Sequence, residues 1–255
     1  IVAWKWRGLF AGYAVLGVLA ILAAGLSTFL LAGVPDVAAR VDSRGQSPLR
    51  ILKQSWKDPI FRRILIWGFA FNAVVQLSGP FFPYYFTRDL HLPMSTVAFW
   101  ALMANLGNMA TSTYWGKRID RKSGILGVAT LWTLLICLSP LPYVIRDVSI
   151  IRIFAPFEFI LNGIAWSAYQ VAAMTLIMRN SPSGVQSRTR FSLWIGANGA
   201  GGVIGTFVGG LAAGWLAPWG GFRALWVVST LLRLMVVGAL LRRTFGSNSK
   251  SECYT

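Results

Sequence analysis

Apolar residues in this chain are gathered into long runs, and short polar segments separate the runs. A helix needs about 20 predominantly apolar residues to cross the hydrocarbon core of a bilayer. Seven runs reach that length, at about residues 9–34, 60–86, 94–114, 125–144, 150–178, 191–216 and 222–241. The pattern therefore predicts an all-α polytopic membrane protein with seven spans.

A polar hinge between the third and fourth runs sets the predicted orientation. Residues 115–124 read Trp-Gly-Lys-Arg-Ile-Asp-Arg-Lys-Ser-Gly, and a loop this short joins two helices into an antiparallel hairpin. When the loops are counted alternately, 17 Lys and Arg residues lie on the hinge side and 6 on the other side. Cytoplasmic loops carry such an excess of Lys and Arg. The loops that we therefore predict to be cytoplasmic are 36–59, 116–124, 179–190 and the C-terminus.

The composition agrees with a membrane protein and argues against a nucleic-acid-binding protein. Hydrophobic residues make up 55% of the chain and charged residues only 13%, about half the charged fraction of an average soluble domain. The net charge of +16 does not predict a nucleic-acid partner, because the cations lie in loops that flank the apolar runs rather than on one basic face.

The chain offers little for catalysis or metal binding. Cys137 lies in an apolar run, Cys253 lies in the tail, and His91, the single histidine, lies in a loop. The sequence shows no Ser/His/Asp arrangement and no paired carboxylates, so we predict no enzymatic activity, no metal site and no cofactor. A membrane-embedded enzyme acting on lipid would need a convergent carboxylate pair, or a Glu/His pair, in a cavity.

Two ionisable residues inside the runs are candidates for function, because such residues are costly in lipid. Glu158 could bind a proton or a cationic substrate, or it could pair with Arg152 or lie near the outer interface. Arg233 could hold a substrate or pair with Glu158 across the bundle. The sequence leaves these alternatives open.

Side-chain amides inside the runs favour a polar face. Asn72 and Gln76 are four residues apart and share one helix face, and Asn162 lies in the same run as Glu158. Hydrogen bonding between helices is the commoner role of a single amide, whereas several amides on different spans favour a shared aqueous cavity. The candidate substrate-binding residues are Asn72, Gln76, Glu158, Asn162 and Arg233.

The sixth run is rich in glycine at helical spacing. Gly201, Gly205 and Gly209 recur every four residues, and this spacing lets two helix backbones approach closely. We predict that these glycines serve helix packing. They do not form a phosphate loop, because no Lys-Ser or Lys-Thr pair follows them.

The hinge resembles the loop signature of the major facilitator superfamily of secondary transporters. That signature is Gly, three residues, Asp-Arg, one residue, Gly and two basic residues. Here Gly116, Asp120 and Arg121 match, whereas Ser123 stands at the second glycine and the trailing basic pair is absent. Gly116 would permit close helix approach, and Asp120 would lie near the N-terminus of the fourth span, where the helix dipole favours an anion.

The resemblance extends over the whole chain, because residues 54–63 and 79–85 are also similar to the start of the second half of bacterial permeases. It implies a six-helix C-terminal bundle of two inverted three-helix repeats, preceded by one helix. The implied parts are the last helix of the N-terminal half at 1–35, a cytoplasmic linker at 36–59, the transport domain at 60–243 and a cytoplasmic tail at 244–255. The linker could be an amphipathic surface helix or a merely solvated segment.

The resemblance also implies a function, a secondary active transporter that moves a small solute by alternating access across a bacterial inner membrane. Gly116, Asp120 and Arg121 would form its gate, and the substrate would bind near the midplane between two halves. The chain begins at Ile1, almost directly before a span, so we expect a piece of a longer protein that needs its N-terminal half or a second copy. A coupling proton or ion stays open. The alternative is a non-transporting membrane scaffold or receptor that retains the fold.

Overall fold

The computed structural model describes residues 18–19, 21–30, 48–120, 125–145, 147–181 and 185–248. The chain divides into two compact units, Ile1–Asp42 and Ser43–Thr255. The described part of the first unit includes the helix α1 (Ile21–Leu30), whose apolar side chains are exposed. This helix lies within the first predicted span.

The second unit is built from helices. They are α2 (Pro48–Lys57), α3 (Pro59–Gln76), α4 (Phe82–Arg88), α5 (Met94–Asp120), α6 (Ile125–Leu138), α7 (Val148–Arg179), α8 (Val185–Trp215) and α9 (Phe222–Asn248). Short 3-10 turns occupy Gly79–Phe81, Leu141–Val144 and Ala217–Trp219. None of the described residues lies in a strand, so the all-α prediction is confirmed for this part of the chain.

Four of the described helical segments are long and apolar enough to cross a membrane. They are Pro59–Arg88, Val148–Arg179, Ser187–Trp215 and Phe222–Ala239, and shorter apolar helices occupy Ile21–Leu30 and Thr130–Val144. Helix α5 has 27 residues, or about 40 Å at 1.5 Å per residue, but it also carries polar side chains such as Asn105 and Asn108. These segments agree with the predicted membrane protein, and the count of seven spans stays a prediction.

Prolines end two of the helices. Pro80 and Pro83 follow α3, which gives way after Gln76 to a 3-10 turn and then to α4. Pro140 and Pro142 follow α6 and lead into the next 3-10 turn. Proline has no N–H and cannot continue the ladder of main-chain hydrogen bonds. In lipid, the carbonyls freed at these two breaks need other donors.

Glycines bring α8 and α3 into main-chain contact. Three glycines of α8 each face a carbonyl of α3: Gly201 faces Phe69, Gly205 faces Ala73 and Gly209 faces Leu77. A Cβ atom on any of these glycines would overlap the carbonyl that it faces. Only glycine therefore permits this approach, and the short distance gives the van der Waals packing that holds helices together in lipid.

A second close contact joins α7 to α5. Gly163 of α7 faces the carbonyl of Ala104, and Gly107 of α5 faces the carbonyl of Ile160. Among the described helices, main-chain contact thus joins α3 with α8 and α5 with α7. Helix α6 packs against α7, and α9 packs against α3 and α6.

The first prediction concerns the α3–α8 contact. Gly205→Ala is expected to destabilise the bundle by about 1–3 kcal/mol, because the added methyl group forces the two backbones apart. Unfolding in mixed micelles of increasing SDS content measures the effect. Gly214→Ala is the matched control, because a Cβ at Gly214 meets no described atom within 4 Å. Equal effects of the two substitutions would contradict the prediction.

Candidate functional site

Arg233 of α9 donates to main-chain carbonyls at both helix breaks. Its side chain is only 2% exposed. Its NH1 group donates to the carbonyl of Ile136 in α6 at 2.8 Å, and its NH2 group donates to the carbonyl of Val75 in α3 at 3.0 Å. The residue four places after Ile136 is Pro140, which has no N–H. In place of that N–H, Arg233 and Oγ of Ser139, at 3.1 Å, both donate to the Ile136 carbonyl.

Two serines complete the hydrogen bonding at the break after α3. The NH2 group of Arg233 also donates to Oγ of Ser78 at 2.8 Å. Ser78 Oγ donates to Oγ of Ser229 at 2.9 Å, and Ser229 Oγ donates to the carbonyl of Val74 at 2.8 Å. Both serines are fully buried. The network therefore ties α3, α6 and α9 together in the interior of the bundle.

Glu158 of α7 lies in a separate polar cluster and is 7% exposed. Its Oε2 atom accepts from the hydroxyl of Tyr143 at 2.6 Å, and its Oε1 atom accepts from Nδ2 of Asn162 at 3.2 Å. Oδ1 of Asn162 is buried and has no hydrogen-bond partner among the described residues. The cluster combines the carboxylate of Glu158 with the unpartnered amide oxygen of Asn162. A further ligand there would therefore have to be a hydrogen-bond donor or a cation.

The ion pairs considered for Glu158 do not form. Arg152 is exposed, and within the described part of the chain no ion pair joins it to Glu158. Among the described residues, no ion pair joins Arg233 to Glu158 either. The alternatives in which Glu158 pairs with either arginine are therefore not realised.

The amides of α3 face α8. Nδ2 of Asn72 donates to Oδ1 of Asn198 in α8, and Nδ2 of Asn198 donates to the carbonyl of Trp194 at 2.7 Å. Gln76 is half-buried beside the same helix. Asn72 thus makes the helix-to-helix hydrogen bond that is the commoner role of an intramembrane amide.

The five candidate substrate-binding residues make three separate sets of contacts. The amides of α3 contact α8, the Glu158 cluster contains Asn162, and Arg233 binds the two helix breaks. Sequence reasoning missed Tyr143 and Ser229, which complete two of these sets. The prolines could have indicated where such partners are needed, since each break leaves carbonyls without donors.

The structure describes only part of the predicted gate. Gly116 lies in α5, and a Cβ there would meet no described atom within 4 Å, so this arrangement shows no close helix approach at Gly116. Asp120 is the last residue of α5 rather than a residue at the start of α6, which begins at Ile125. The side chain of Asp120 and the whole of Arg121 lie outside the described residues. A gate formed by these residues stays a prediction.

An ion pair that sequence reasoning missed links the starts of α3 and α8. Oδ2 of Asp58 lies 2.8 Å from NH2 of Arg190, and Oδ1 of Asp58 caps α3 by accepting from the N–H of Ile60 at 2.9 Å. The guanidinium of Arg190 lies 4.9 Å from the ring centroid of Phe61, and its NH1 group donates to the carbonyl of Asn180. An Asp directly before Pro59 is a helix-start signal that could have drawn attention to this end.

The hydrogen bonds of Asp58 outweigh its burial. Burial raises the pKa of the carboxyl. Hydrogen bonds from the N–H groups of Phe61 and Ile60, and the hydrogen bond and charge of Arg190, together lower the pKa by more than burial raises it. The pKa of Asp58 therefore lies below its ordinary value of 3.8. The ionised carboxylate that the ion pair requires is thus the favoured form.

Long apolar helices with proline breaks satisfied from inside the bundle define a helical membrane protein. The family model described as the Major Facilitator Superfamily matches residues 1–190, and the chain belongs to this family of membrane transporters. The resemblance of the hinge and of residues 54–85 is thereby confirmed at the level of the family. Comparison with curated proteins and with solved structures gave no match.

The second prediction concerns Arg233. Arg233→Met is expected to destabilise the bundle by about 2–4 kcal/mol, because it removes the charged donor from the buried carbonyls of Ile136 and Val75. The donors that remain are Oγ of Ser139 at 3.1 Å from the Ile136 carbonyl and the N–H of Ser78 at 3.4 Å from the Val75 carbonyl. Pro140→Ala in the same background restores an N–H for Ile136 and is expected to recover part of the loss. Unfolding in SDS mixed micelles without any solute measures both. A residue that only held substrate would leave this stability unchanged.

The third prediction concerns pH. Because the pKa of Asp58 is lowered by folding, its ion pair stabilises the protein above the ordinary pKa of 3.8, and this contribution is lost as the pH falls through the folded value. Arg190→Gln is expected to cost about 1–3 kcal/mol at pH 7 and much less once the pH has fallen below the folded pKa of Asp58, which a pH titration of the cost locates. A double-mutant cycle with Asp58→Asn, measured by SDS unfolding, isolates the pair. A coupling energy that stays constant from pH 7 down to the acid limit of the folded protein would contradict this account.

Proposed function

We propose that this chain comprises the last helix of the N-terminal half, the central linker and the C-terminal half of a secondary active transporter. The transporter would move a small solute through the bilayer by alternating access, with no enzymatic step. Membership of a transporter family supports this proposal. The order of the described helices supports it too, because α3 with α4, α5, α6, α7, α8 and α9 would supply the six spans of one half.

The two glycine contacts support the proposed inverted repeats. In that arrangement, α3 to α6 form one three-helix repeat and α7 to α9 form the other. The first helix of one repeat then contacts the second helix of the other in both cases, since α3 packs on α8 and α7 packs on α5. A reciprocal pattern of this kind is expected when two similar units pack about a pseudo-two-fold axis.

The proposed topology follows from the distribution of cations. Segments 36–59, 116–124, 179–190 and the tail would be cytoplasmic, and the protein would lie in a bacterial inner membrane. The proposed parts are 1–35, 36–59, 60–243 and 244–255. The gate of Gly116, Asp120 and Arg121 would lie at the cytoplasmic end, where the open side of Gly116 leaves room for a neighbouring helix in another state.

The Glu158 cluster is the observation that carries the functional proposal. Glu158 is a nearly buried carboxylate with no ion-pair partner among the described residues, which is costly in lipid, and Oδ1 of Asn162 likewise has no donor among them. We propose that Glu158 and Asn162 bind either a cationic group of the solute or a coupling proton. Asn72 and Gln76 would line the pathway when the α3–α8 contact loosens. Arg233 would support the framework rather than the solute, because its NH1 and NH2 groups already have acceptors.

The fourth prediction tests transport. The whole gene product is reconstituted in liposomes, and mass spectrometry follows the uptake of a mixture of small solutes under an imposed proton gradient. At least one solute is expected to accumulate, and Glu158→Gln is expected to slow its initial rate by about tenfold, in line with the loss of charge-assisted hydrogen bonds.

The control for this experiment is Arg152→Gln, which removes an exposed charge from the same helix and is expected to keep the wild-type rate. Proteoliposomes that move no solute would favour the scaffold or receptor hypothesis. Uptake by Glu158→Gln at the wild-type rate would remove Glu158 from the transport mechanism.

A further inference from the structure

A cavity of about 460 Å³ opens at the end of the bundle opposite the Asp58–Arg190 ion pair. The end of α4, the loop after it, the start of α7 and the turn before α9 form its walls. Residues that line it include Arg88, Asp89, His91, Val148, Gly220 and Arg223. A volume of this size falls within the range of small-molecule sites, about 300–1,000 Å³.

The lining carries an excess of positive charge. Arg88 and Arg223 face the cavity together with His91, and Asp89 is the one carboxylate among the residues that line it. Arg88 is also placed by its neighbour, because its guanidinium carbon lies 5.2 Å from the ring centroid of Tyr84. An oxyanion is therefore the ligand that complements this surface.

Arg88 and Arg223 lie on the side of the predicted spans that carries few cations, opposite the predicted cytoplasmic loops. Only six Lys and Arg residues fall on this side of the predicted spans, namely Lys5, Arg7, Arg88, Arg146, Arg152 and Arg223. Two of those six line one cavity. Cations that merely orient the chain belong on the other side, so topology does not explain this pair.

Main-chain hydrogen bonds and buried side chains hold the wall of the cavity in place. The N–H of Leu90 donates to the carbonyl of Tyr85 at 3.1 Å, and the N–H of Leu92 donates to the carbonyl of Phe86 at 2.9 Å. Both leucines are buried in the aromatic cluster beneath the loop. His91, held between them, has a left-handed backbone with φ of 51°. A preformed wall lowers the entropy that binding would otherwise cost.

We infer that this cavity binds the carboxylate or phosphate group of an anionic ligand, with Arg88 and Arg223 as its principal donors. Guanidinium groups match the geometry of both oxyanions. The group could belong to a soluble solute or to the headgroup of an anionic lipid. If it belongs to a solute, the inference rests on the proposed transport function and identifies the cavity as the outer entry site. Binding itself can be measured without transport.

The test uses the full chain in nanodiscs of zwitterionic phosphatidylcholine. Isothermal titration with citrate and with inorganic phosphate measures a soluble anion, and glycerol serves as the neutral control. In parallel nanodiscs that contain phosphatidylglycerol, native mass spectrometry counts anionic lipids that stay bound. Arg88→Gln and Arg223→Gln are each expected to weaken binding about tenfold or more, as expected for the loss of a charge-assisted hydrogen bond.

Two further variants sharpen the test. Asp89→Asn is expected to strengthen anion binding, because it removes a carboxylate that repels the anion. The variant is expected to fold, because the side chain of Asp89 is exposed. Arg152→Gln removes an exposed cation of the same side that does not line the cavity, and it is expected to leave binding unchanged.

Each outcome decides the inference. If citrate or phosphate binds, and both Arg88→Gln and Arg223→Gln weaken that binding, the cavity is a solute site. If phosphatidylglycerol stays bound to the wild type and to neither variant, the cavity is a headgroup site. Absence of both signals overturns the inference, and so does an equal loss in Arg152→Gln. If the anion binds but the proteoliposomes take up no solute, the transport proposal is rejected and the inference of an anion-binding site still holds.

Discussion

In lipid, every main-chain carbonyl needs a donor from within the protein, and this requirement governs the bundle. Pro140 removes the N–H that Ile136 would use, and Arg233 replaces it together with Oγ of Ser139. A lone arginine in a membrane helix costs about 2.5–3.5 kcal/mol on insertion scales, and each hydrogen bond to a charged group returns about 1.5–3 kcal/mol. The arginine and the helix breaks thus stabilise one another, and either alone would be unfavourable.

The break after α3 also separates two kinds of packing. Before it, α3 meets α8 through glycines whose missing side chains let the two backbones touch. After it, α4 packs by its aromatic rings, and Phe82 stacks on Trp226 of α9 with ring centroids 4.9 Å apart. One continuous helix would have to make both contacts along a single straight axis. The break lets each segment follow its own partner, which gives the prolines a role beyond ending the helix.

The sequence predicts the helices well because the apolar runs are long and the prolines, caps and glycines mark their limits. It also identifies Glu158 and Arg233, since an ionisable residue stands out in an apolar run. It does not predict their partners. Tyr143 lies 15 residues from Glu158, and Ile136 lies 97 residues from Arg233, so only the packed fold brings each pair together. For the same reason, the glycine spacing reveals a packing face on α8 without revealing that α3 covers it.

The two ends of the bundle differ in a way that bears on alternating access. At the predicted cytoplasmic end, Asp58 and Arg190 hold α3 and α8 together. At the opposite end, a cavity lies between α4, α7 and α9. In the proposed transport cycle, one side must be closed while the other admits solute. An ion pair at one end and a cavity at the other would fit such a state. A charged contact suits such an end, since its partners can be exchanged between two states.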